Sequence, residues 1–323
     1  MRWLKRLVLD GALPLGVLVA TTIAVMGDGW TRMHSVIIGG GNPTTPSDVN
    51  GTLWFYWWVS SALERGADIL RPDVICAPTG QSLGSNFPQQ IDALMAAPFL
   101  QNLPFPAAFN AFVALIPVLG GLAAYAGARW LGIGRFLGLM VAVLFGFNSL
   151  SLHELANGKP PSAMVFTLPL FVCAWLKTLS APGRAAIGWA IVAGCATALA
   201  IQHYVLYALV AAFFAAGTLV VFTAAPAPRV PRRRAAVAGL AVVLIGVSLS
   251  APYLQRLLGE RELLPSRIYL YDDRLTDGTG DPTPTPTASS RLASSNTISG
   301  DLPPSSSVTF FSVSADCLMI SLA

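Results

Sequence analysis

Long apolar windows separated by short polar connections set the layout of the chain. Windows near 8–27, 106–127, 136–152, 164–176, 185–202, 204–224 and 235–255 approach or reach the roughly 17 to 25 helical residues needed to cross a hydrocarbon core of about 30 Å, the fourth being the shortest. From Ala185 to Ala224 the sequence runs 40 residues without an acidic or basic charge. As one helix this would be roughly 60 Å long, twice the thickness of the core, so the chain must fold back, and Gln202-His203-Tyr204 is the place for it. The pattern predicts an all-α, polytopic helical membrane protein with about seven transmembrane helices. A long first outer loop, 28–105, separates the first span from the second and is expected to contain short juxtamembrane helices. The domain plan is a seven-span membrane module over 1–255, followed by a Pro/Ser/Thr-rich outer tail over 256–323 that is expected to be mostly disordered and cut short.

Composition agrees with this class. The chain is 54% hydrophobic and 11% charged with a mean hydropathy of +0.61, whereas soluble domains carry roughly 25% charged residues. The net charge of +4 carries no nucleic-acid signal, because the basic residues fall between apolar windows. Arg2, Lys5 and Arg6 put the N-terminus in the cytoplasm by the positive-inside rule. Alternation then puts Arg129, Arg135, Lys177, Arg184, Arg229, Arg232, Arg233 and Arg234 on the same side, and 15 of the 16 acids outside, with Asp10 inside the first span. The N-terminal run reads as an uncleaved anchor. Cys173 and Cys195 read as small buried hydrophobes within spans, leaving Cys76 and Cys317 as the pair that could meet outside.

Three polar groupings then fall on the outer side. In the long loop, Pro46-Ser47-Asp48 precedes a proline-free stretch, Val49 to Arg65, with Trp54, Trp57, Trp58, Ser61 and Ala62 along one helical stripe that would lie in the headgroup layer. Ser47 or Asp48 fits as a helix cap. Asp48 also fits as a general base or metal ligand at the membrane surface. A second short helix, Gln89 to Leu100, is expected to carry Asp92 on its polar face. The second grouping is His153-Glu154 with Lys159, where the third span emerges. Glu154 and His153 could join Asp48 around a divalent cation, and Lys159 supplies a point charge for phosphate; a solvated polar loop is the plain alternative. The third is Gln202-His203-Tyr204, lining a cavity or satisfying its own turn.

The stretches Asp48 to Gly66, Ala96 to Leu115 and His153 to Leu168 resemble the C-type (GT-C) superfamily of polytopic glycosyltransferases in its N-terminal module. The resemblance covers roughly residues 1 to 255 and rests on the order of residue types, not on signature strings. It implies an inverting glycosyltransferase that moves a sugar from a polyprenyl-phosphate donor to an acceptor on the outer face of the membrane. On that reading Asp48 is catalytic, and His153, Lys159, His203 and Tyr204 bind substrate. Asp48 and Glu154 are the candidate ligands for a divalent cation, Mg or Mn. The expected partners are membrane lipid and the polyprenyl-phosphate sugar donor, with no nucleic acid. The expected location is the bacterial inner (plasma) membrane, multi-pass, with the N-terminus cytoplasmic. The competing readings are a non-enzymatic membrane transporter or assembly protein, and an inactive fragment of a glycosyltransferase. No internal repeat or midplane charge supports transport.

Overall fold

The computed structural model describes residues 8–39, 46–72, 90–224 and 231–260, and the side chains of Pro46, Ser47 and Asp48 lie outside what it describes. The tail beyond 260, the segment 73–89, Arg229, Cys76 and Cys317 are outside the described residues as well. No strand occurs among those described. A π-helical turn, Val8–Ala12, leads into α1 (Leu13–Met26). Among the described residues of the long loop, a 3-10 turn at Gly27–Trp30 is followed by two α-helices, α2 (Pro46–Arg65) and α3 (Gln90–Asn102). Then come α4 (Phe105–Trp130), α5 (Arg135–Gly146), α6 (Ser149–Ala156) and the single turn α7 (Pro160–Ala163). The remainder is α8 (Thr167–Ser180), α9 (Gly183–His203), α10 (Val205–Ala224) and α11 (Arg232–Glu260).

Among the described residues, seven stretches are long and apolar enough to cross a bilayer: Asp10–Trp30, Phe105–Trp130, Arg135–Ala156, Pro160–Ser180, Gly183–His203, Val205–Thr223 and Ala235–Gln255. The protein is an integral, multi-pass helical membrane protein. The third span is longer than its hydropathy window because it is two helices. Phe147 leaves helical geometry, and Asn148 restarts the chain as the cap of α6, its Oδ1 accepting from the Ser151 N–H at 2.9 Å. His153 and Glu154 therefore sit on a helix and not in an open loop.

α4 is the central span, with 78% of its apolar window buried, whereas only 11% of the sixth span's window is. The outward faces of the other spans carry large apolar side chains such as Ile23, Phe136, Leu144, Phe213 and Val220, the surface a lipid-embedded bundle presents. Between spans four, five and seven the buried contacts are made by Ala190, Ala193, Ala196, Ala235 and Ala238 around Phe171 and Trp175. Lipid is as apolar as leucine, so helices associate by close packing, and small residues allow it. Gly146 shows how close: a Cβ there would lie 2.5 Å from the Pro117 carbonyl oxygen and 3.1 Å from Gly121 Cα. Gly146→Val is expected to cost about 1–3 kcal/mol by forcing α4 and α5 apart, while Leu144→Val on the outward face stays within about 0.5 kcal/mol. Thermal unfolding of both variants in detergent checks this.

The two ends of the bundle differ in chemistry. At one, Arg135 donates to Asp10 from Nε at 2.8 Å and from a terminal nitrogen at 3.0 Å, with Arg129 Nε 3.4 Å from the same carboxylate. Asp10 is thus not a stray acid in the first span but the anion that neutralises the connection between spans two and three. Trp130 and Trp189 bring the start of α9 to this end, with ring centroids 5.1 Å apart, and Trp175 against Gly239 does the same for the start of α11. Arg129, Arg135, Lys177, Arg184 and Arg233 accordingly share the cationic end. α2 and α3 cover the opposite end and form its cap.

Candidate functional site

The cap is built on aromatic side chains. Phe55, Tyr56, Trp58, Val59 and Ala62 of α2 pack with Ala93 and Ala96 of α3, Phe109 and Phe112 of α4, and Leu155, Ala163 and Met164 beyond. This corrects the surface-stripe expectation for α2. Trp58 and Ala62 are fully buried, Trp54 stacks on Trp58 at 6.4 Å between centroids, and Trp57 alone of the three indoles is exposed. The Trp58 Nε1–H donates to the Ile69 carbonyl at 2.9 Å, which closes the chain after α2 back onto the helix. The physical reason is that α2 has protein on most of its circumference, with α3 and the emerging ends of spans two to four around it, so it needs aromatic bulk on several faces.

The first turn of α2 is fixed against the second polar grouping. α2 starts at Pro46, so Asp48 falls within its first turn and not at the cap position before it. Val49 follows, nearly fully buried, and a Cβ placed on Gly158 would fall 2.2 Å from Val49 Cγ2. Gly39 meets the same place, where its Cβ would lie 2.4 Å from the Leu155 carbonyl oxygen and 2.5 Å from the Gly158 nitrogen. Both glycines have positive φ, +79° and +68°, so neither tolerates a side chain on conformational grounds either. The Asp48-bearing turn and the segment His153 to Lys159 thus adjoin at the cap end. Within that segment His153 is exposed and its Nε2 lies 2.9 Å from Asn157 Nδ2, while Glu154 and Lys159 are half-buried. Among the described residues, no group of three His, Cys, Asp or Glu side chains is gathered closely enough to hold a metal ion.

The third grouping is drawn in from another direction. α9 ends at His203, where Tyr204 turns extended and its N–H bonds the Ala200 carbonyl. The backbone satisfies itself, as the turn reading has it, but the His203 side chain is fully buried and lies 3.6 Å, Nδ1 to Oδ1, from Asp92 of α3. Asp92 is also fully buried, which corrects its placement on a polar face, and its other oxygen accepts from the Tyr56 hydroxyl at 2.6 Å. Burial, and then the Asp92 carboxylate, hold the Tyr56 phenol well above its ordinary value, so it stays the donor in this bond. Tyr207 lies over His203 with centroids 6.2 Å apart and donates to the Ser162 carbonyl, and Phe166 flanks the imidazole at 6.5 Å. Tyr204 is half-buried and packs on Tyr207 edge to face, 5.1 Å between centroids.

Sequence reasoning singled out His203 but not its buried neighbours Asp92 and Tyr56. The signal was present: Asp92, Ala93, Ala96 and Ala97 make one i, i+1, i+4, i+5 stripe, so the carboxylate shares the face of the small residues that α3 buries. Comparison with protein-family models, with curated proteins and with solved structures returns no match to this chain.

Proposed function

We propose that the protein is an inverting glycosyltransferase that takes its sugar from a polyprenyl-phosphate donor and works at the cap end of the bundle. The observation that carries the reading is the junction of Val49 and Gly158, because it sets the turn bearing Asp48 beside the segment bearing His153, Glu154 and Lys159. A span-only protein has no need for a 20-residue aromatic helix clamped in this way over the ends of its spans. The cap end faces the outer side of a bacterial inner membrane, since the cations gather at the other end.

In the proposed reaction the acceptor hydroxyl gives its proton to the Asp48 carboxylate while its oxygen attacks the anomeric carbon. The bond from that carbon to the donor phosphate oxygen breaks from the opposite face, and polyprenyl phosphate leaves with the electron pair. In this scheme Lys159 stabilises the phosphate charge, and His153 and Tyr204 contact the sugar or acceptor. His203, sealed from solvent, acts in this scheme only through its neighbours. Where Mg or Mn is used, Asp48 and Glu154 are the residues to hold it, and the steps above are written without it. The test is incorporation of label from a polyprenyl-phosphate sugar into membranes carrying wild type or Asp48→Asn. Equal incorporation removes Asp48 as base.

A further inference from the structure

Where the first span gives way to the long loop, the chain forms a groove that no step of the reaction above uses. It holds about 270 Å³ and is lined by Asp28, Gly29, Arg32, Val36 and Ile38. That is near the lower end of small-molecule sites, which run from roughly 300 to 1,000 Å³. Asp28 and Arg32 are both exposed, stand four residues apart, and form no ion pair with each other or with any other described residue. We propose that this groove binds a membrane phospholipid with an ethanolamine headgroup, its phosphate on Arg32 and its ammonium on Asp28.

The wall of the groove is held in place from beneath. Asn110 of α4 grips the segment 33–38 with its whole amide: Oδ1 accepts from the Ile38 N–H at 2.9 Å, and Nδ2 donates to the Met33 and Val36 carbonyls at 2.8 and 2.7 Å. Asn110 is only 2% exposed, so these bonds form away from water and keep the wall in one shape. The same contact fixes the depth. Asn110 stands five residues into α4, about 8 Å below the start of that span, which sets the groove at the end of the bilayer and not above the cap. Trp30, closing the first span, lies back along it with Nε1 donating to the Ile23 carbonyl at 3.3 Å, the place an indole takes at a headgroup layer.

Chemistry selects the occupant. The groove offers one cation, one anion and two apolar side chains, Val36 and Ile38. A guanidinium fork takes two phosphate oxygens at once, and a primary ammonium gives N–H donors to a carboxylate. An ethanolamine headgroup carries both groups, two carbons apart. Its acyl chains continue along the apolar flank of the first span, where Ile23 and Val25 are exposed. A glycerol headgroup brings the anion alone and leaves Asp28 beside a phosphate of like charge. A choline headgroup has no N–H to give Asp28. The inference does not depend on sugar transfer.

Hydrogen exchange followed by mass spectrometry, on the full chain in lipid nanodiscs, tests it. Discs of phosphatidylcholine alone are compared with discs in which part of it is replaced by phosphatidylethanolamine or by phosphatidylglycerol. Protection of residues 27–38 is expected to rise about tenfold with the ethanolamine lipid, the effect of one charge-assisted hydrogen bond, and about twofold or less with the glycerol lipid. Protection of 183–203 stays level. Arg32→Gln and Asp28→Asn are both surface changes, and each is expected to abolish the gain. Soluble glycerophosphoethanolamine, added to phosphatidylcholine discs at the same concentration, is expected to give none. No gain in wild type overturns the proposal, as does an equal gain with the glycerol lipid, which marks a plain anion site. A gain that survives in either variant is a property of the bilayer and overturns it too. A gain with the soluble headgroup removes the lipid as the occupant.

Discussion

Asp48→Asn is expected to lower transfer of labelled sugar from a polyprenyl-phosphate donor by about 100-fold or more, the usual range for losing a general base. The substitution keeps the size and hydrogen-bonding reach of the side chain and removes the proton acceptor. Asn is also a good residue near a helix N-terminus, so losing the negative charge in the first turn of α2 costs only about 0.3–1 kcal/mol through the helix dipole. Structural and catalytic roles for Asp48 therefore separate by magnitude. If it only favours the helix start, Asp48→Asn shifts thermal stability slightly and leaves transfer within about twofold, a free-energy change near 0.4 kcal/mol. Transfer measured in membranes, against protein amount by quantitative blot, distinguishes the two.

Gly158→Ala carries the largest expected structural effect. Gly158 sits at φ +68°, where an L side chain costs about 1–3 kcal/mol. Its Cβ would also fall 2.2 Å from Val49 Cγ2 and 3.1 Å from the Gly39 carbonyl oxygen, an overlap worth about 1–3 kcal/mol more. The strain is relieved by moving the first turn of α2 away from the 157–159 turn, since the spans beneath are held by their own contacts. Transfer activity is expected to fall at least tenfold with the seven spans intact, and a disulfide between cysteines placed at Val49 and Asn157 is expected to form more slowly on the Gly158→Ala background. Gly132→Ala is the control for backbone strain: it too has positive φ, +86°, but nothing lies within 4 Å of its Cβ. It should cost stability without loss of transfer.

Much of this fold was legible in sequence. The seven spans lie within a few residues of their hydropathy windows, and the reversal falls at His203, because a bilayer fixes how long an apolar helix can be. The segregation of Arg129, Arg135, Lys177 and Arg184 to one end was equally open, since charge placement between spans has few alternatives. Hydropathy read less well near the cap. It took Trp54, Trp57 and Trp58 for one interfacial stripe, when Trp58 is a core residue. It placed Asp92 on a wet face, when Asp92 is fully buried. It treated 153–163 as a loop, although Asn148 caps a helix running to Ala156 and Pro160 opens another turn. In each case the local pattern is amphipathic in a way that water, headgroup and protein neighbours all satisfy, so periodicity alone did not choose among them.

The amino-acid sequence by itself determined the class, the number of spans and which connections share a side, because those follow from one-dimensional quantities, apolar length and charge order. Only the tertiary structure decided what the long loop does. Its helices fold back over the bundle, set the turn of Asp48 beside Gly158, and bring Asp92 and Tyr56 to His203 across 111 and 147 residues of chain. Such pairings depend on the shape left between packed helices, where two small glycines and a buried carboxylate meet their partners, and no spacing along the chain encodes that choice.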